Sequence, residues 1–144
     1  MNKHILCCID LTHTKDAKNV ILEAERQANI DGAKLTIMTV IPDYGSSWVG
    51  LFFKEGTLSD AANAASNTLK TLIKDTLPEH KGVKSVVEIG VVYEQVLHQI
   101  DKLKVDLIVL GAHKPNVLDH LMGPNAAHIV RSSPISSLIV RTQK

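Results

Sequence analysis

Short apolar segments alternate with amphipathic segments along this chain, and that alternation restricts the possible fold more than any other feature of the sequence. Five apolar runs are typical of buried strands: residues 4–10, 34–41, 83–89, 106–110 and 137–141. Strands separated by helices form βαβ crossovers, so we predict an α/β fold with a five-stranded parallel sheet and helices on both faces. No repeat or linker divides the 144 residues, which predicts a single domain over residues 1–144.

The segments between the strands have the spacing of helices with one apolar face. In the first of them, that face consists of Ala17, Val20, Ile21, Ala24 and Ala28. We expect Thr14 to cap this helix and Gly32 to end it. The same spacing predicts helices over residues 58–77, 92–103 and 125–132.

The charge balance argues against nucleic acid or an anionic membrane as the main partner. Sixteen basic residues stand against fifteen acidic ones, for a formal net charge of +1. Nucleic-acid-binding proteins usually carry a clustered basic excess, which this sequence lacks. No apolar run approaches the roughly 20 residues of a membrane helix, and no secretory signal precedes the first strand. We therefore predict a cytoplasmic protein.

Several common catalytic and metal-binding arrangements are absent from the sequence. There is no Gly-x-Gly-x-x-Gly, no Gly-Lys-Ser or Gly-Lys-Thr, and no Gly-x-Ser-x-Gly. The adjacent Cys7 and Cys8 would point to opposite faces of a strand, which favours two core thiols over a disulfide or a metal site. The seven histidines show no metal-ligand spacing, so we predict no metal site and no catalytic residues.

The segment after the fourth strand is the best candidate for a binding site. Gly111 leaves the strand, and Gly123 precedes a predicted helix. In open α/β sheets, ligands bind beyond the carboxyl ends of the strands, where the strand order reverses. Amide groups at a helix start, together with glycines that let the main chain approach closely, are typical of phosphate sites. Two turn glycines with no ligand remain an alternative.

Over its whole length the sequence resembles the universal stress protein family. The resemblance is carried by the first strand ending at Asp10, by Val40 near the end of the second, by the loop from Gly111 to Gly123, and by the tail 128–141. It implies an adenine nucleotide alpha hydrolase-like fold with strand order 3-2-1-4-5. It also implies a homodimer paired through residues 137–141. Family members divide into those that bind ATP and those that do not.

Two departures separate this chain from the ATP-binding pattern of the family. The second glycine is replaced within Ala112-His113-Lys114, and the loop is one residue short, as in the small bacterial F/G-type members. The second departure is Pro124, which stands where a serine or threonine is usual. Proline offers neither an amide proton nor a hydroxyl, although it suits the first turn of a helix.

The resemblance assigns a nucleotide to the carboxyl ends of the strands, with any Mg²⁺ held only through phosphates. Asp10 would face the adenine, or act only as a loop carboxylate, and Val40 would contact the base through its main chain. Lys114 would meet phosphate or stay solvated, and His113 would touch ribose or lie at the surface. The full candidate set is Cys8, Ile9, Asp10, Leu11, Thr12, Val40, Leu110, Gly111, His113, Lys114, Gly123, Pro124, Asn125 and Ala126.

The resulting functional prediction is a cytoplasmic stress-response regulator that binds ATP or another adenine nucleotide. Any chemistry would be limited to slow ATP hydrolysis or self-phosphorylation. The alternative is a member that binds no nucleotide and acts through dimerisation and protein partners not identified by the sequence.

Overall fold

A computed structural model describes residues 2–42, 57–79, 82–112 and 124–141. Strands and helices alternate through these residues, as the sequence predicts. In chain order they are β1 (His4–Cys8), α1 (Thr14–Asp31), β2 (Lys34–Pro42), α2 (Thr57–Thr76), β3 (Lys84–Gly90), α3 (Val92–Leu103), β4 (Leu107–Ala112), α4 (Pro124–Ser132) and β5 (Ser136–Arg141).

The five strands form one parallel sheet in the order β3-β2-β1-β4-β5, which confirms the predicted fold. The first strand lies at the centre, where Ile5 is opposite Leu35 of β2 on one side and Leu107 of β4 on the other. From β1 the chain adds strands first on the β2 side and then on the β4 side. The order therefore reverses between β1 and β4, and β3 and β5 form the two edges.

Each face of the sheet has its own apolar cluster. On one face, α1 and α2 cover residues such as Ile5 and Ile37. On the other, α3 and α4 cover residues such as Leu6 and Ile108. All five residues of the predicted apolar face of α1 are buried. Two-sided burial explains why the central strands are apolar along their whole length.

Several element boundaries differ from those predicted. β1 ends at Cys8 rather than at residue 10, while β2 continues to Pro42 and β4 to Ala112. The prediction that Thr14 caps α1 is wrong: Thr14 is the first helical residue, and His13 holds the cap position without a side-chain cap bond. Gly32 does end the helix, in the left-handed conformation with φ of 65°.

At the amino ends of the strands, Asp106 joins the start of β4 to the start of β1. Its Oδ2 accepts hydrogen bonds from the main-chain amides of Lys3 at 2.6 Å and His4 at 3.0 Å. These bonds lower the pKa of the Asp106 carboxyl below its ordinary value. A carboxyl with a lowered folded-state pKa stabilises the fold above its unfolded-state pKa, and that contribution is lost as the pH falls through the folded-state value.

We therefore expect Asp106→Asn to reduce the free energy of unfolding at pH 7, and to reduce it less at acid pH. Because unfolded aspartate titrates near a pKa of about 3.9, the difference between wild type and variant should shrink as the pH falls below that value. Urea unfolding at pH 7 and pH 3 measures the effect. Asp75→Asn, on the exposed side of α2, is the control. If Asp106→Asn lowers the free energy of unfolding equally at pH 7 and pH 3, the charge of the Asp106 carboxylate is not the cause of the loss.

Candidate functional site at the carboxyl edge of the sheet

The strand order reverses between β1 and β4. The helix that follows β1, α1, packs on one face of the sheet, and the helix that follows β4, α4, packs on the opposite face. In doubly wound folds the carboxyl ends of the two strands at such a reversal border a crevice, which is the usual position of a bound ligand. We refer to this position as the crevice.

A tight turn after β1 fixes Asp10 at one side of this crevice. Its Oδ1 accepts hydrogen bonds from the amide of Thr12 at 2.9 Å and from Thr12 Oγ1 at 2.6 Å. The carbonyl of Asp10 accepts a further bond from the amide of His13 at 3.2 Å. Asp10 and Thr12 are both exposed. The carboxylate thus orders the turn through one oxygen, and Oδ2 accepts no hydrogen bond from any described residue.

Ile9 and Thr39 join the end of β1 to β2 beneath this turn. The amide of Ile9 donates to the carbonyl of Met38 at 3.0 Å. The buried Thr39 donates its hydroxyl to the carbonyl of Ile9, also at 3.0 Å. Both main-chain groups of Ile9 therefore have partners that hold the end of β1 against β2. Sequence reasoning missed Thr39, whose signal was a hydroxyl residue within a mostly apolar strand.

Val40 presents its main chain to the crevice. Along a strand, successive residues direct their amide and carbonyl groups to opposite sides. Since the carbonyl of Met38 bonds Ile9, the main chain of Val40 points to the same side, where β1 has already ended. Its amide and carbonyl are thus directed into the space beside Asp10. On its other side, Val40 of β2 is opposite the half-buried Glu88 of β3. Glu88 accepts a hydrogen bond of 3.3 Å from Gln99 Nε2, and sequence reasoning missed this residue too.

The structure divides the predicted site residues between the two faces of the sheet. Cys8, Val40, Leu110 and Ala126 pack together in the cluster covered by α3 and α4. Ile9 and Leu11 instead pack on the side of α1 and α2. In the first group Leu110 is buried, while Cys8, Val40 and Ala126 are half-buried; Asp10 and Thr12 are exposed.

Gly111 has a packing role that is independent of any ligand. A Cβ atom placed on Gly111 would lie 2.8 Å from Cγ2 of Val20, closer than such atoms approach in real proteins. The glycine therefore lets α1 lie close against β4. Sequence reasoning assigned Gly111 to phosphate, and the close approach of Val20 was not visible in its spacing.

The helix that follows β4 is α4, and its start is the candidate phosphate site. The helix begins at Pro124, so the first amide groups free of helical bonds include those of Asn125 and Ala126. The helix is held against α3 by stacked rings of Tyr93 and His128, whose centroids lie 3.7 Å apart with planes 13° from parallel. His113, Lys114 and Gly123 lie outside the described residues, as do the side chains of Pro124 and Asn125.

Among the described residues, the titratable groups near the carboxyl ends of the strands do not gather into a redox or metal site. Burial raises the pKa of the Cys7 and Cys8 thiols, so both stay protonated and unreactive at neutral pH. No group of three or more histidine, cysteine, aspartate or glutamate side chains within the described ranges could hold a metal ion. Among the helices of those ranges, none combines the length and the apolar character needed to cross a membrane.

Comparison with known proteins places this architecture in a family. The sequence model of the universal stress protein family matches residues 1–141. Universal stress protein G of Salmonella typhimurium is 26% identical over 143 residues, which cover 98% of this chain and 100% of the relative.

Two solved structures share the fold. The universal stress protein UspA from Lactobacillus plantarum aligns with a TM-score of 0.77 and 21% identity, covering 96% of this chain and 97% of that one. A universal stress protein in complex with cAMP aligns with a TM-score of 0.61 and 20% identity, covering 99% and 98%. The family match over nearly the whole chain, together with the shared strand order, shows that this protein belongs to the universal stress protein family.

Proposed function

We propose that this protein binds an adenine nucleotide, ATP in the first instance, in the crevice between the ends of β1 and β4. The observation that carries the proposal is that Asp10 and the main chain of Val40 both lie at that position. Adenine carries an exocyclic amine that donates hydrogen bonds and ring nitrogens that accept them. The Asp10 carboxylate and the Val40 carbonyl would accept from such an amine, and the Val40 amide would donate to a ring nitrogen.

The surroundings of these groups fit the rest of an adenine nucleotide. The half-buried Cys8, Val40 and Ala126 would offer apolar surface against which a base can lie. The amides of Asn125 and Ala126 lie at a helix start, where partial positive charge favours phosphate. A family relative of the same fold has been solved with cAMP, which is also an adenine nucleotide. Any Mg²⁺ would then be held through the phosphates.

The binding of nucleotide tests the proposal directly. We expect calorimetry to show tighter binding of ATP than of GTP, because guanine presents a carbonyl where adenine presents its amine. Asp10→Ala should weaken ATP binding about tenfold or more, since a hydrogen bond to a charged group contributes roughly 1.5–3 kcal/mol. Asp75→Ala, which removes an exposed carboxylate on α2, should leave binding unchanged.

Loss of the Asp10 turn must be separated from loss of the ligand contact. Asp10→Asn keeps an oxygen that can accept from Thr12, so the turn should form, while the carboxylate charge is lost. We expect this variant to unfold at the temperature of wild type and still to bind ATP more weakly. Equal affinities of wild type for ATP and GTP, or full ATP affinity in both Asp10 variants, would refute the adenine site.

A second candidate function is a member that binds no nucleotide and acts through dimerisation and protein partners. Two observations favour it: Gly111 is explained by the contact with Val20, and proline at the start of α4 offers no amide to phosphate. Mass spectrometry of the purified native protein distinguishes the two functions, because an adenine nucleotide that co-purifies with the chain supports the first. Either way, we propose one domain over residues 1–144 that acts in the cytoplasm in a stress response.

We also propose a homodimer paired antiparallel through β5. This strand is an edge of the sheet, and its residues Leu138, Ile139 and Val140 are apolar and only half-buried. An apolar edge strand with free main-chain groups tends to pair with another strand. We expect light scattering at micromolar concentration to give twice the mass of one chain. A monomeric mass under these conditions would exclude this interface.

A further inference from the structure

An open groove lies at the amino ends of the strands, the opposite end of the sheet from the nucleotide crevice. The last two turns of α2 and the beginning of β3 border about 360 Å³ of it. Ile73, Leu77 and Val83 supply its apolar surface, and Lys70 and Lys74 stand on its α2 side. We refer to these five residues as the edge groove. Volumes of this size are typical of binding pockets.

The position of the groove leaves main-chain groups available beside it. β3 pairs with β2 on one side, and no strand in the described part of the chain pairs with its outer side. Every residue of β3 keeps some exposure to solvent. An unpaired strand edge of this kind offers a row of amide and carbonyl groups to another extended chain.

The charge of the edge groove indicates which kind of partner it can bind. Lys70 and Lys74 are four residues apart, so they lie on the same side of α2, and both are exposed. Neither lysine forms an ion pair with another described residue. The ion pair that the described residues do contain joins Arg26 to Glu23 on α1. The carboxylates that follow, Asp75 and Glu79, do not line the groove. The rim is therefore cationic and the floor apolar.

We propose that the edge groove binds an extended acidic peptide segment of a partner protein, which adds a strand to the outer edge of β3. One apolar side chain of the peptide would cover Ile73, Leu77 and Val83, and carboxylates beside it would pair with Lys70 and Lys74. Alternate side chains of an extended peptide point in opposite directions, so the apolar residue and the carboxylates that face α2 would occupy every second position of the peptide. This surface is independent of the nucleotide site.

The test uses a labelled heptapeptide, capped at both ends, with glutamate, valine and glutamate at its second, fourth and sixth positions and serine elsewhere, and the control peptide has lysine in place of glutamate. We expect the acidic peptide to bind by fluorescence anisotropy, to bind more weakly as salt is raised, and to shift the NMR signals of β3 amides. The lysine peptide should not bind. Failure of the acidic peptide to bind, or shifts at β5 and not at β3, would overturn the proposal.

Charge reversal provides the matched variants. The double variant Lys70→Glu with Lys74→Glu should weaken binding of the acidic peptide about tenfold or more and should acquire affinity for the lysine peptide. Lys15→Glu with Lys18→Glu, which reverses two exposed charges on α1, should behave as wild type. If both double variants bind the acidic peptide equally, the edge groove is not its site. Free glutarate that displaces the peptide completely would show a small-anion site and equally refute strand addition.

Discussion

Gly111→Ala should lower the free energy of unfolding by about 1–3 kcal/mol, the usual cost of inserting a methyl group into a filled core. The new Cβ would lie 2.8 Å from Cγ2 of Val20. Valine on a helix has one strongly preferred side-chain rotamer, so Val20 cannot turn aside without strain. Either α1 moves away from β4, or the contact stays compressed.

The double variant Gly111→Ala with Val20→Ala tests this cause. Val20→Ala alone should destabilise by removing buried methyl groups, but it also makes room for the new Cβ. We expect the double variant to be more stable than the sum of the two single changes predicts, by about 1 kcal/mol or more. Urea unfolding of the four proteins provides the comparison. If the two changes in the free energy of unfolding are strictly additive, the contact with Val20 is not what makes alanine unfavourable at residue 111.

Pro124→Ser should tighten ATP binding about tenfold while leaving the affinity for adenosine unchanged. At a helix start the first amides have no helical partner, and proline removes one of them. Serine restores the amide and adds a hydroxyl. Each hydrogen bond to a charged phosphate contributes roughly 1.5–3 kcal/mol, which corresponds to tenfold or more in affinity. The base and ribose of adenosine do not reach this position.

Pro124→Ala separates the two restored groups, because alanine returns the amide without the hydroxyl. We expect its ATP affinity to fall between those of wild type and Pro124→Ser, with thermal unfolding recorded for all three proteins. Tighter binding of adenosine as well as ATP would point to a general change in the crevice. Equal ATP affinity in all three would show that phosphate does not contact the start of α4.

The sequence was sufficient for the helices and strands because their information is local, whereas the order of the strands was implied by the family resemblance. Ala17, Val20, Ile21, Ala24 and Ala28 recur at helical spacing, and all five are buried in α1. Gly32 adopts the left-handed conformation expected at the end of a helix. The continuous apolar runs predicted strands buried on both faces, and they form the centre of the sheet.

The site was less predictable, because several of the contacts that fix it lie outside the periodic spacing of single elements. Asp10 was assigned to β1, yet its carboxylate accepts local hydrogen bonds from the Thr12 amide and hydroxyl in a turn after the strand has ended. The support that Thr39 gives Ile9 crosses between strands, and the contact at Gly111 joins β4 to α1. No spacing within one segment reveals such pairs. Strand ends were inexact for the same reason, since neighbouring strands decide where pairing stops.

The central position of β1 also determines the order in which the chain can fold. β1 is synthesised first, but its partner on one side is β4, and the pairing of Ile5 with Leu107 closes a loop of about 100 residues. Until β4 leaves the ribosome, one edge of the central and most apolar strand has no partner. Long-range parallel pairing of this kind slows folding and exposes a strand edge to other chains. The newly made amino-terminal half is therefore the stage at which this protein is most prone to aggregate.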